Sequence, residues 1–283
     1  MARTIQAEHR PCTNEEYHAD LTHDSSSVLR IAEDSLAAYY HLRITGRMKP
    51  KPQTPEQRAG TACHTALLEP SRCDELVICI PPGVLSKSGS KSGKPWEEWR
   101  DAQRPGAALL KVDEFDALKW QIETVWENPR CRELLLNATR TEYSIFWTDS
   151  DGSKLKCRID LLLELDGVIA DVKTSRHDDE NFWRALRDYG GHAQAAHYVD
   201  GASHLFGRPF EFKYILVPSD PPYEDCCVRT LPAAALRLGH ERNVEIIRKI
   251  RECREGRRPW LRDGVHEDRT LNLPSHFYPE PQL

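Results

Sequence analysis

The sequence is short of several things. Nowhere in its 283 residues do eighteen apolar side chains follow one another, so no segment reads as a membrane-spanning helix. The opening stretch, MARTIQAEHR, has no apolar core of the kind a secretory leader carries. A cytoplasmic protein is therefore expected. The nine cysteines (Cys12, Cys63, Cys73, Cys79, Cys131, Cys157, Cys226, Cys227 and Cys253) include no Cys-x-x-Cys pair, and their spacing matches no zinc site. Reduced thiols are expected, some of them used as small core residues. There is no phosphate-cradling Gly-Lys loop and no Gly-x-Gly-x-x-Gly fingerprint, which speaks against a nucleotide- or dinucleotide-dependent enzyme. No internal repeat is visible. Positive charge is not in excess either. The net charge of −5 argues against indiscriminate polyanion binding, although charge acts locally.

What is there begins with charge in short blocks. HLRITGRMKPKP carries Arg43, Arg47, Lys49 and Lys51. SKSGSKSGK carries Lys87, Lys91 and Lys94. RKIRECREGRR runs from Arg248 to Arg258. Each alone reads as a solvated surface; together they could line a groove.

Periodicity supplies the organisation. Val28, Leu29, Ala32, Leu36, Tyr39 and Tyr40 recur at helical spacing behind a run of serines, which predicts a capped helix. Pro50, Pro52 and Pro55 separate it from a second helix, EQRAGTACHTALLEP, that ends at Pro70. A strand, ELVICI, follows. Residues 81–106 are rich in Gly, Ser, Pro and Lys and read as a long, mobile excursion. DEFDALKWQIETVWEN returns to helical spacing. From residue 140 the pattern changes to strands: RTEYSIFWT, KLKCRIDLLLEL, and VIADVKTS behind an Asp166-Gly167 hairpin signal. A helical stretch over roughly 178–201 precedes two more strands, FEFKYILVP and CCVRTL. PAAALRLGHERNVEIIRKIRECREG is a helix with proline at its start. The expectation is one α/β domain over residues 1–265, with a mixed sheet flanked by helices. Residues 266–283 read as a polar, proline-containing tail.

The chemistry sits on the strands. Residues i and i+2 of a strand share a face, so Asp171 and Lys173 point the same way. Asp160 lies among Ile159, Leu161, Leu162 and Leu163, where a lone charge would be expensive. Counting outward from the hairpin brings Asp160 close to Asp171. A single Asp-x-Lys is often an ion pair and no more. Two carboxylates converging in an apolar sheet repel each other unless a cation lies between them. Oxygen ligands of this kind suit Mg²⁺, with Mn²⁺ as a substitute. His64 lies one helical turn after Gly60, and Gln194 and Tyr198 share a helical face. Taken singly, each is also an ordinary structural residue.

Taken in order, Gly-x-x-x-His, Asp, Asp-x-Lys and Gln-x-x-x-Tyr resemble the RecB-type branch of the PD-(D/E)xK nuclease superfamily. The blocks RAGTACHTALLEP, KCRIDLLLE, IADVKTS and YGGHAQAAHYVDG are most similar to the RecE, or exonuclease VIII, family of prophages. The resemblance covers roughly residues 17–255. It implies a PD-(D/E)xK fold and a Mg²⁺-dependent exodeoxyribonuclease. Such an enzyme degrades linear double-stranded DNA 5′→3′ and leaves 3′ single strands for a RecT-like annealing protein in recombination. It implies a homo-oligomeric ring, trimeric or tetrameric, around the duplex. In that pattern Asp160 and Asp171 hold the metal, and the Val172 carbonyl and His64 add ligands. Glu142 is a further carboxylate for a second metal. Lys173 activates water, while Gln194 and Tyr198 position the DNA backbone. The cysteine-bound iron–sulfur cluster of some members has no matching spacing here. An endonuclease or single-strand nuclease on the same fold would share these motifs. A silent DNA-binding or annealing module would be expected to lack an acid or the lysine.

Overall fold

The computed structural model describes residues 5–50, 52–176 and 180–261. The chain opens with strand β1 (Gln6–His9) and helix α1 (Asn14–Ala19). Helices α2 (Ser26–Asp34) and α3 (Leu36–Tyr39) follow and run into a π-turn at Tyr40–Ile44. Next come α4 (Pro55–Leu68), α5 (Cys73–Leu76), β2 (Val77–Cys79), α6 (Lys94–Asp101), β3 (Ala108–Leu110), α7 (Val112–Glu127) and α8 (Pro129–Asn137). The second half holds β4 (Arg140–Thr148), β5 (Lys154–Leu163), β6 (Val168–Ser175), α9 (Phe182–Tyr189), α10 (Gly191–Phe206), β7 (Glu211–Pro218), β8 (Cys227–Thr230) and α11 (Ala233–Arg254).

Six strands form one mixed sheet in the order β1-β4-β5-β6-β7-β8, and β2 and β3 form a separate parallel pair. β4, β5 and β6 run antiparallel; β6 and β7 are parallel, joined by the α9–α10 crossover. The sheet is sandwiched between two apolar clusters. One gathers Leu29, Tyr39, Trp147, Ile159, Phe212 and Ile246. The other gathers Ala62, Leu67, Leu118, Val125, Val172 and Val217. A sheet covered on both faces explains why β5 reads as an almost unbroken apolar run.

Within β5 the strand period fails once. Cys157 and Ile159 pack in the first cluster, but Leu161 and Leu163 pack in the second. Odd-numbered residues of a regular strand would share one face. The face therefore inverts at Asp160. The β5–β6 ladder stops at the neighbouring position, Leu161 opposite Ala170. Its far end closes at Leu163 opposite Val168 through a turn over residues 164–167. Gly167 takes φ +67° there, a conformation that favours glycine over the residues with side chains.

Several expectations need correction. The first helix is not continuous: Ser35 is extended and its side chain caps Ala38 N, splitting α2 from α3. The stretch over 81–106 is not simply a loop, because α6 forms inside it and buries Trp96. The helix expected over 178–201 is two, α9 and α10, divided by left-handed Gly190, and the second continues to Phe206. β1, α1 and α8 were too short or too polar for the periodicity to show. Buried Cys63, Cys131, Cys157, Cys226 and Cys253 are free thiols. The tail over residues 266–283 lies outside the described residues. Among the described residues no helix is long and apolar enough to cross a membrane.

Candidate metal centre

The site grows from a row of acids across three strands. Thr141 pairs with Leu161 and Tyr143 with Ile159, so Glu142 faces Asp160 in register. Continuing past Leu161–Ala170 puts Asp160 opposite Asp171. Neither of these two pairings is made. At this row Glu142 has φ +50°, a left-handed backbone that is uncommon outside glycine. Carboxylates stacked at cross-strand distance repel, and the ladder parts at the charged row. The backbone released by this parting finds a partner: Val172 N–H donates to Asp160 Oδ2 at 2.9 Å.

Helix α4 brings the histidine. Thr54 and Gln57 close a capping box at its start. Gly60 lets the helix lie close on β6, since a Cβ there would sit 3.1 Å from Thr174 Oγ1. One turn later, His64 Nε2 lies 2.7 Å from the Val172 carbonyl. A carbonyl only accepts, so Nε2 carries the proton. His64 Nδ1 then faces Asp160 Oδ2 at 3.3 Å. Burial, and after it the charge of Lys173, lowers the imidazole pKa. A neutral ring leaves a bare lone pair on Nδ1, pointing at a carboxyl group.

Electrostatics show how these groups act on one another. Burial, and then the negative charge of Asp171, pushes Asp160 up to about 8. Burial, and then Asp160, raises Glu142, although Arg158 opposes this. Burial works against the charge on Lys173, but Asp171 and Asp160 outweigh it and raise its pKa. The Lys173 ammonium sits 2.6 Å from Asp171 Oδ2. That contact is the charge beside the buried oxygen.

Ligand atoms of His64, Glu142 and Asp160 lie within 4.8 Å of one another. Opposite ligands of a six-coordinate Mg²⁺ are about 4.2 Å apart, at ~2.1 Å each from the ion. The set fits a small divalent cation after slight contraction. Two carboxylates suit Mg²⁺, and the imidazole nitrogen also suits Mn²⁺. Glu142 thus joins the same cluster as Asp160, where a place at a second metal was expected. Asp171 is outside the cluster and is engaged with Lys173. The Val172 carbonyl, expected as a ligand, accepts from His64.

Of the other expected residues, Tyr198 is buried on α10 and takes a hydrogen bond from Gln194 Nε2 to its hydroxyl at 3.1 Å. Burial chiefly, then neighbouring Tyr17 and the acids Asp171 and Asp160, raises the Tyr198 pKa well above its ordinary value. A cleft of about 720 Å³ opens over this region. His64, Glu142, Arg158, Asp160 and Tyr198 contribute to its wall, with Gln57 and Thr61 of α4 and Tyr17 and His18 of α1. Gln194 is not in that wall; it is bonded to Tyr198, which is.

The three basic segments do not line this cleft; Lys51 lies outside the described residues. Their charges are used locally. Arg43 is bound to Asp24, Arg248 to Glu245 and Glu252, Arg251 to Asp151, and Lys94 lies beside Glu98. The residue missed by the sequence reading is Arg158. Its signal was a second charge inside an apolar strand, two residues before Asp160.

A family model described as "PDDEXK-like domain of unknown function (DUF3799)" matches residues 25–261. No curated protein matches the sequence significantly. In fold, the chain is similar to the crystal structure of a "putative exonuclease" from Eubacterium rectale. The TM-score is 0.62 at 16% identity, over 94% of this chain and 96% of that one. The mixed sheet flanked by helices is that of the PD-(D/E)xK superfamily, the level at which the motif resemblance is met.

Proposed function

We propose that this chain, which belongs to the PDDEXK-like family DUF3799, is a divalent-metal-dependent deoxyribonuclease that works from the ends of linear duplex DNA. The observation that carries the reading is the parted row of Glu142, Asp160 and Asp171, with His64 Nδ1 on one side and Lys173 on the other. A fold does not fix a reaction. A buried cluster of acids that fails to satisfy itself and opens into a cleft does call for a cation and an anionic substrate.

His64, Glu142 and Asp160 would hold Mg²⁺, with Asp171 as the further ligand that the motif order implies. When bound, the ion supplies Lewis acidity and a more acidic water. The chain's own groups do the remaining work. Lys173 keeps a fixed positive charge in the site, maintained by Asp171, and can donate to a phosphoryl oxygen. His64, tied to the Val172 carbonyl, holds α4 against β6 and fixes the direction of Nδ1. Tyr198 presents a hydroxyl to the cleft, steadied by Gln194. The finer reading is 5′→3′ digestion that leaves a 3′ single strand for an annealing partner, by a trimeric or tetrameric ring. That reading rests on the RecE-like motif order.

The decisive experiment is digestion of end-labelled linear duplex in Mg²⁺ and in Ca²⁺, beside covalently closed circles. Mg²⁺-dependent loss of linear DNA from the 5′ end, with circles intact, is expected. Equal cutting of circles would make the protein an endonuclease. No cutting in any metal would leave a DNA-binding module. Light scattering checks the ring; a strict monomer would remove it.

A further inference from the structure

Two of the three acids in the site already have a built-in cation. Lys173 lies beside Asp171 at 2.6 Å. Arg158 Nε donates to Glu142 Oε2 at 2.5 Å. Arg158 is held on other sides as well. It is 9% exposed, and its Nη1 donates to Ser144 Oγ at 2.8 Å and to the Cys12 carbonyl at 3.0 Å. Ser144 is on β4, the strand of Glu142, and Cys12 lies between β1 and α1. A guanidinium in such a frame has little freedom to turn away. The residue it grips is the one with the left-handed backbone. Such a conformation survives only where the surroundings impose it.

The formal charges decide what this is for. With all three carboxylates ionised, as ligation of a metal requires, the two fixed cations leave the site at −1. One divalent ion takes it to +1, which suits a phosphodiester carrying one negative charge. A second ion would take it to +3, and Glu69, one of the two other carboxylates in the cleft wall, is already paired with Arg72.

We infer that Arg158 stands in for a second metal ion. It is a positioning residue that locks one oxygen of Glu142 and leaves the other to the cluster with His64 and Asp160, so the site takes a single divalent cation. The inference rests on the metal-dependent reading above.

Titration calorimetry of the whole chain with Mn²⁺, without DNA, tests it. The wild type is expected to bind one ion per chain. Arg158→Lys keeps a charge beside Glu142 and should still bind one ion, several-fold more weakly, because lysine cannot also reach Ser144 and Cys12. Arg158→Met should bind two, and adding Glu142→Gln should return the count to one. A merely structural arginine would lower the melting temperature without changing the count. Two ions in the wild type would overturn the inference while leaving the metal-dependent reading intact, and so would one ion in a folded Arg158→Met. No Mn²⁺ uptake up to millimolar concentration would overturn both. If Arg158→Met does not fold, the wild type and Arg158→Lys still decide: two ions in either count against it.

Discussion

Asp24 and Asp160 are both buried aspartates, 5% and 7% exposed, and they have opposite surroundings. Asp24 accepts from Tyr39 Oη at 2.8 Å and from Arg43 Nε at 3.1 Å, with Arg254 at 3.4 Å. Its backbone bonds to both Lys154 and Lys156 of β5. Asp160 has one backbone N–H, a bare imidazole nitrogen and other carboxylates for company. The first charge is satisfied by the chain and ties the N-terminal helices to the sheet and to α11. The second is held among other acids and faces a cleft. Burial of an acid therefore says little by itself; whether its oxygens are already satisfied separates a strut from a site.

Substitution should break this symmetry in opposite senses. The largest effect is on activity. Asp160→Ala and Lys173→Ala should each lower DNA cleavage by about 10²–10³-fold or more. Asp160→Ala should melt close to wild type, while Lys173→Ala, which leaves Asp171 buried without its cation, should melt lower yet still fold. Full activity in either purified variant would remove that residue from the site. Asp24→Asn should do the reverse. Breaking a buried, multiply bonded ion pair costs about 3–5 kcal/mol, visible in denaturant unfolding, while cleavage per folded molecule is retained. If Asp24→Asn abolished Mn²⁺ binding instead, the contrast between strut and site would be wrong.

Acidity sharpens the comparison. The Asp160 carboxyl is raised from an ordinary 3.8 to about 8 in the folded, metal-free chain. Between those values the folded state binds more protons than the unfolded state. Stability should therefore fall as pH rises from about 4 to about 8. Glu142 contributes in the same direction. Asp160→Asn should flatten that slope, measured by urea unfolding across pH in a chelator. Metal uptake should run the other way: proton release on Mn²⁺ binding, and affinity that climbs with pH until about 8. The smallest effect is expected at Tyr198. Tyr198→Phe keeps the ring in its core and should weaken DNA engagement by a few-fold, leaving Mn²⁺ affinity near normal. Loss of metal binding in that variant would place the hydroxyl nearer the ion than the cleft geometry does.

Much of the second half of the molecule was legible in the residues. β4, β5, β6, β7 and α11 follow from alternation, long apolar runs and a proline start, all local signals. The β5–β6 hairpin also followed from Asp166-Gly167, but its register did not: the turn takes four residues, 164–167, where a two-residue turn would pair 165 with 168, and Leu163 pairs with Val168 instead. The face inversion at Asp160 was not legible. It arises from repulsion across strands, and nothing in the local pattern marks a strand that changes sides. Ser35 looked like one more polar position on a helix, and only its extended backbone makes it a boundary. The basic blocks looked like a groove partly because some of their acidic partners are distant in sequence: Arg251 meets Asp151, and Arg43 meets Asp24.

By itself, the order of residues determined which groups are available: three carboxylates, a lysine two residues beyond one of them, and a histidine one turn beyond a glycine. Those spacings follow from strand and helix periods, which depend on neighbours in the chain. Only the tertiary structure decided how they combine. It placed Glu142 with His64 and Asp160, paired Asp171 with Lys173, and brought Arg158 to Glu142. These choices depend on which strands lie side by side and on where mutual repulsion parts them, and both are set by contacts between residues far apart in the chain.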